Sequence, residues 1–217
     1  MSERASKRLV ASAFEAGDEA TSSASPDKEG ELAALLSLAR AAVSDAEAMA
    51  NLLHGIAPAV SRAVRVVLGP HAVDLDDVKQ QALLNVMRAI PAFRGECHPA
   101  GFASRIAVHT ALTARRRARG QRLVFRDALQ ISEAGLTAAR RPDELALYRR
   151  HFVRDLLLRL PEQQAEVLAL HVILGHSLPE IAAATSTPLA TVKSRLRLAK
   201  EYLRKVLDDE APTRGQS

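Results

Sequence analysis

The stretch SLPEIAAATSTPLATVKSRL, Ser177 to Leu196, constrains the fold more than any other part of the chain. Ser177 with Glu180 three residues later forms a capping box, and Pro179 is tolerated in a first turn whose amides lack helical partners, so a helix starts at Ser177. Ile181 and the alanines 182 to 184 give a narrow face that another helix can approach closely. The TSTP run stops this helix, with Thr187 as the next N-cap and Pro188 at the first helical position, which forces a tight turn. After the turn Val192, Leu196, Ala199, Leu203 and Val206 recur by four, three, four and three and form one buried stripe. The opposite face, which starts near Thr191, carries Lys193, Ser194, Arg195, Arg197 and Lys200. One face anchored and the other basic near its N-terminus is the division a recognition helix needs. Read alone, this helix is equally an ordinary amphipathic helix with a solvated charged face. The capped, tightly turned helix in front favours DNA binding.

The remainder of the chain agrees with a helical fold. Aromatic residues make up 3% and Gly and Pro number 10 each, while Ala, Leu and Arg recur throughout, so we expect an all-α protein. With 217 residues of which 47% are hydrophobic, the chain can bury a core in one medium domain or two small ones. A formal charge of +5, supplied mostly by Arg, makes a polyanion a plausible partner. Cys97 stands alone, so no intramolecular disulfide is expected, and no Cys/His cluster has zinc-ligand spacing. The adjacent Cys97 and His98 cannot both be good ligands of one tetrahedral ion, and we expect neither a metal nor a cofactor. The first twenty residues lack the apolar core of a signal peptide, and nowhere do eighteen apolar residues run together. A cytoplasmic protein without membrane insertion is the expectation.

Residues 1–30 mix Ser, Ala and both charges without an apolar period and are expected to be a disordered tail. Helices follow through ELAALLSLARAAV and AEAMANLLHGIAPAVSRAVRVVL, the second stopped by Gly69-Pro70. The next begins at Asp74 as N-cap, with Asp77 three residues on, buries Val78, Ala82, Val86 and Ile90, and ends at Pro91. A loop, AFRGECHPAG, leads into a helix from about Phe102 that finishes in Arg115, Arg116, Arg117, Arg119 and Arg122. Periodicity weakens from Gly120 to Pro142, so a flexible linker is expected over 121–142. Helical patterning resumes through Leu145, Tyr148, Phe152 and Leu156, then from Pro161 to Gly175. The expected architecture is two small helical domains, 31–120 and 143–208, with a short tail at 209–217.

A second basic site falls in the first of these domains. Arg105, His109, Thr113 and Arg116 share one helix face, next to a loop with Arg94 and His98 and the aromatic Phe93. Such a face can hold separated DNA strands. Equally, His109 is a half-exposed helix histidine and the Arg run a solvated end favoured by the helix dipole; on pattern alone this blander reading wins. No nucleophile-base-orienter set and no phosphate-binding Gly loop is present, so nothing argues for catalysis.

These residues carry a family resemblance. Leu160-Pro161-Glu162, Glu180-Ile181-Ala182 and Thr191-Val192-Lys193-Ser194-Arg195 resemble region four of the extracytoplasmic-function (ECF) group of bacterial RNA polymerase sigma factors. DLDDVKQQALLNVMRAIPAFRG and FASRIAVHTALTARRR are similar to region two of that group, and together the two matches cover most of residues 45–207. The resemblance implies a dissociable specificity subunit rather than an enzyme. It implies that Asp77, Gln80 and Gln81 dock on a coiled coil of the largest polymerase subunit, and that region four meets the flap of the second-largest. It also implies minus-10 recognition and opening by Arg94, His98, Phe102, Arg105, His109, Thr113, Arg116 and Arg117. Minus-35 recognition would fall to Thr187, Thr191, Lys193, Ser194, Arg195, Arg197 and Lys200. Promoter DNA and core polymerase are the implied partners, with an anti-sigma factor as a further candidate.

Departures from the family pattern cluster in the minus-10 part: Phe102 stands where Trp is usual, His109 where Asn is, and Thr113 where Asp is common. Gln81 replaces a usual Glu, Ala165 a usual Arg and Ser186 a usual Gly. The competing reading is a two-domain operator-binding regulator with a LuxR-like C-terminal helix-turn-helix, which would need a sensor domain in the N-terminal half. A helical enzyme using His and Glu is the third, and it requires a convergent set of perturbed groups.

Overall fold

The computed structural model describes residues 26–129 and 154–209, with side chains over 29–121 and 154–206. Helix α1, Pro26–Ala41, begins inside the expected tail, and buries Leu35 and Ala39 against α2. Helix α2, Ala46–Leu68, is capped by Asp45, whose side chain accepts a hydrogen bond from the Glu47 amide at 2.9 Å. Its inward stripe of Leu52, Ile56, Val60, Val64 and Val67 is nearly solvent-free, while Pro58 faces outward. Close approach of α1 explains Gly55, where a Cβ would lie 2.8 Å from Leu35 Cδ2. Gly69 ends α2 at a φ of 103°, a region glycine enters without steric cost.

Helix α3, Leu75–Ala89, buries Val78, Ala82 and Val86, and Ile90 follows in a short 3-10 turn, Ile90–Ala92, at Pro91. Asp74 occupies the N-cap position but its side chain makes no capping hydrogen bond, because its backbone (ψ 14°) is not the extended cap conformation. Helix α4, Pro99–Leu129, is longer than its sequence pattern indicates at both ends. His98 caps it, accepting from the Ala100 amide at 3.1 Å through Nδ1, and Gly120 is carried within the helix. Ala103, Ser104, Ala107 and Ala111 let α4 settle closely on α2 and α3.

The C-terminal half opens with helical residues 154–159, bends at Leu160 and continues as α5, Glu162–Leu168, from Pro161. A π turn, Ala169–Ile173, follows, closed by the Leu174 amide donating to the Ala169 carbonyl at 3.0 Å. Helices α6, Leu178–Ala184, and α7, Leu189–Asp209, complete it. Leu145, Tyr148 and Phe152, and most of the expected linker, lie outside the described residues. All regular structure among the described residues is helical. The two halves share one continuous hydrophobic cluster, with α5 and α6 packed on α4. Each fully buried Leu, Ile or Val contributes about 1.5–3 kcal/mol to that cluster.

Candidate nucleic-acid interface

The helix-turn-helix is held by local hydrogen bonds that the sequence dictates. Glu180 accepts from the Ser177 amide at 2.7 Å and from its hydroxyl at 2.8 Å, while the Glu180 amide donates back to Ser177 Oγ. Burial pushes the Glu180 carboxyl up, but these Ser177 bonds outweigh it and hold the group below its ordinary value. At the other end of α6 the Thr187 amide reaches the Ala182 carbonyl at 3.0 Å and the Ser186 amide reaches Ala183 at 3.2 Å. This is a Schellman motif, with Ser186 at φ 47° in the left-handed position glycine usually fills.

The expected cap of α7 is corrected by one position. Thr187 turns its hydroxyl back to the Thr185 carbonyl at 3.1 Å, and the first helical carbonyl is that of Pro188, which accepts from the Thr191 and Val192 amides. The reason is the Schellman turn, which commits Thr187 to closing α6 before α7 begins. Val192, Leu196, Ala199 and Leu203 are buried as the period requires, and Val206 packs at the margin. Lys193, Ser194 and Arg197 are exposed, with Thr187, Thr191, Arg195 and Lys200 half-buried beside them. Arg197 is paired with Glu201 one turn on, at 2.6 Å.

The α4 face is arranged differently. Phe102 packs against Phe93 with ring centroids 4.9 Å apart and planes tilted by 46°, so the loop aromatic and the helix aromatic form one cluster. Arg94 is exposed, His98 is used as the α4 cap, Thr113 is half-buried and Arg117 exposed. Arg105, His109 and Arg116 reach carboxylates of the C-terminal half, and His109 keeps about half of its side chain in solvent. Arg105 Nε lies 3.2 Å from Glu166 Oε1, and Glu162 bridges His109 Nδ1 at 3.0 Å and Arg116 Nη1 at 3.3 Å. Arg115 donates to Asp155 at 2.7 Å and to the Val67 carbonyl at 2.8 Å, and Arg154 donates to the Val66 carbonyl at 3.0 Å. Guanidinium groups thereby satisfy carbonyls that the last turn of α2 leaves without helical partners, where the helix dipole favours cations. The Arg run is therefore in good part structural, and the sequence reading assigned none of its carboxylates, Glu162 included, as its partners. Glu162 and Glu166, four apart like Arg105 and His109, were the signal that could have revealed them.

On α3 the side chains of Asp77, Gln80 and Gln81 are exposed on one outer strip. Leu84 and Met87, also exposed, extend that strip by one and two turns, which charge-centred reading overlooked. Gln81 donates to Asn85, and Asn85 to Thr110 on α4, both at 3.0 Å, so the strip is tied to the helix behind it. Between the halves lies a cavity of about 230 Å3 lined by Cys97, His98, His176 and Glu180 among others. Burial pushes the Cys97 thiol up and the His176 imidazole down, so both favour the neutral form there. Among the described residues no three His, Cys, Asp or Glu side chains gather closely enough to hold a metal ion, and no helix is long and apolar enough to cross a membrane.

A fold that is helical throughout the described residues and presents an exposed cationic helix-turn-helix defines a DNA-binding protein. Residues 46–121 match the family model for sigma-70 region 2 and residues 153–203 that for sigma-70 region 4. The ECF RNA polymerase sigma factor SigD of Mycobacterium tuberculosis is 30% identical over 187 residues, covering 82% of this chain and 84% of that protein. The ECF RNA polymerase sigma-E factor of Escherichia coli is 33% identical over 157 residues, covering 69% and 79%. The solved structure of CnrH in complex with the cytosolic domain of CnrY is similar with a TM-score of 0.50 and 26% identity, covering 82% of this chain and 99% of that one. This chain belongs to the extracytoplasmic-function group of the sigma-70 family. It is a sigma factor for promoter-specific transcription, and the region 2 match occupies the half where an operator-binding regulator would need a sensor domain.

Proposed function

We propose that α7 reads the minus-35 element as duplex, with Thr191, Lys193, Ser194 and Arg195 toward base edges and Thr187, Arg197 and Lys200 toward phosphates. The α4 face, with Arg105, His109, Thr113, Arg116 and Arg117, and the loop bearing Arg94 and His98 capture and open the minus-10 element, Phe102 offering a stacking surface. The outer strip of α3, Asp77, Gln80 and Gln81, docks on the coiled coil of the largest polymerase subunit, and region 4 meets the flap of the second-largest.

The observation that carries this reading is the exposed cationic start of α7, presented by a helix-turn-helix whose turn is fixed at both ends. A rigid helix whose cationic start is exposed enters a major groove at little ordering cost, and direct readout needs such a placement. Opening the minus-10 element needs base capture, which costs a few kcal/mol per flipped base and is offset by phosphate contacts and polymerase binding. Promoter-specific transcription alone requires no catalysis of this chain; it acts as a dissociable cytoplasmic specificity subunit on 31–120 and 143–208, and the first part of the segment between them, to Leu129, continues α4. An anti-sigma factor is a further partner in this reading, and the CnrH structure, solved with another polypeptide bound, supports it.

Reconstitution tests the reading. Purified chain mixed with core RNA polymerase should co-elute with it and support transcription from a subset of promoters. Stable binding to duplex DNA with no affinity for core would overturn it.

A further inference from the structure

We propose that helix α1, to which the reading above gives no task, positions the minus-10 capture loop: Leu36 supports the apex of the segment from Arg94 to His98. This rests on the reading of that loop as part of the minus-10 site.

The region 2 match begins at residue 46 and α1 ends at Ala41, so α1 lies outside the matched module. Its apolar residues are engaged in two ways. Leu35 and Ala39 are buried and belong to the hydrophobic cluster that joins the helices, whereas Leu36 is half-buried and takes no part in it. Leu36 meets the loop instead. Its Cδ2 lies 3.9 Å from the point a Cβ on Gly95 would occupy, an ordinary van der Waals distance. Among the described residues, and apart from the chain neighbours of Gly95, it is the one heavy atom within 4 Å of that point.

The loop is fastened at its ends and not at its apex. On the α3 side the Phe93 amide donates to the Ile90 carbonyl at 2.9 Å. On the α4 side His98 caps the helix, and its carbonyl accepts from the Phe102 amide at 3.0 Å. The contact of Phe93 with Phe102 closes the two ends against each other. Between them Gly95 turns the chain at φ 75°, a conformation open to glycine at little cost. Arg94 and Glu96 approach to 3.9 Å, too far for a hydrogen bond, and an exposed pair of that length holds little. Leu36 therefore limits the apex from within. Helix α1 is itself packed on α2 and touches α4, so the loop is fixed relative to the helix that carries Phe102 and Arg105. An apex ordered in advance spares strand capture the entropy of ordering that backbone.

Leu36→Ala shortens the side chain and leaves Leu35 and Ala39 in place. In holoenzyme reconstituted with core polymerase, promoter opening should slow about tenfold, the equivalent of roughly one residue's backbone freedom returned to the loop. Preference between the native and a substituted base at one minus-10 position should fall with it, while core affinity and minus-35 duplex binding stay as in wild type. Hydrogen exchange of the amides of residues 94–97 in the free chain should quicken. Leu36→Met, which keeps the reach, should restore both readouts. Gly95→Ala strains the apex from its own side and should add little to Leu36→Ala when the two are combined. Unchanged amide exchange and unchanged base preference in Leu36→Ala, while Arg105→Ala still impairs promoter opening, would overturn the positioning role and leave the minus-10 reading intact. An equal loss on every promoter together with lost core affinity overturns it too, because that marks a merely structural residue. If Arg105→Ala and His109→Ala leave promoter opening untouched, the minus-10 reading itself falls, and this role with it.

Discussion

Arg105 Nε donates to Glu166 Oε1 at 3.2 Å across unequal surroundings, the guanidinium side chain being 36% exposed and the carboxylate 9%. Burial raises the Glu166 carboxyl above its ordinary value, and Arg105 only partly offsets that. For a group whose folded value is raised, the stabilising share is complete below the unfolded value of 4.5 and is lost as pH rises through the folded one. Glu166→Gln, neutral at every pH, should therefore be within about 1 kcal/mol of wild type at neutral pH, since it relieves the desolvated carboxylate and leaves an Arg105 that is over a third exposed and still solvated. The difference should move toward wild type on acidification. Urea unfolding of both proteins across the acid range checks this.

His176 titrates in the opposite sense. Burial lowers its pKa from 6.5, assisted by Arg62 and His98 and opposed by Glu180. The folded state then binds fewer protons than the unfolded chain below pH 6.5, so the contribution is present above that value and lost as pH falls toward the folded one. His176→Asn should remove this part of the pH dependence. Parallel loss of stability in wild type and variant between about pH 7 and pH 5 would mean another group is responsible.

Ser186 adopts φ 47° in the Schellman turn. A non-glycine residue there carries roughly 1–2 kcal/mol of strain, partly offset by the extra freedom glycine has when unfolded, about 0.5–1 kcal/mol. Ser186→Gly should raise stability by about 0.5–1 kcal/mol without changing minus-35 affinity, as read by chemical denaturation and a duplex-binding assay.

Lys193 and Arg195 lie on the cationic side of α7 near its start. If Arg195 contacts a base bidentately, Arg195→Ala should weaken minus-35 binding by about 1–3 kcal/mol at one base pair only. Lys193→Ala should likewise lose affinity at the base pair it reads, whereas a uniform loss across sequences with a salt slope lower by about one would mark a phosphate contact instead. Titrations against single-base promoter variants at several salt concentrations separate the two.

Leu84 and Met87 are exposed on the α3 strip. Leu84→Glu or Met87→Glu should leave stability within about 0.5 kcal/mol, because the side chains already meet water. Affinity for core polymerase should fall by about tenfold or more if the strip holds an apolar anchor. Competition with the unmodified chain for limiting core measures it.

Local signals were the legible part of this molecule. The stripes of α2, α3 and α7, the Ser177 capping box and the Pro and Gly stops depend on residues a few positions apart, and each was found where periodicity and capping chemistry place it. The Thr187 cap was misplaced because one residue had two possible duties and the longer Schellman closure took it. Helix α4 ran past Gly120 because an interior glycine costs only about 1 kcal/mol, too little to end a long helix.

The sequence by itself determined an all-helical chain, the helix-turn-helix and the cationic side of its second helix, since these follow from spacing and capping within single elements. Only the tertiary structure decided what the arginines of α4 do. Arg105, Arg115 and Arg116 look solvated in one dimension, and their partners Glu166, Asp155 and Glu162 lie 61, 40 and 46 positions away. No periodicity connects such pairs. They are set by the packing of two halves on one core, where burial, helix-end carbonyls and opposite charge act together.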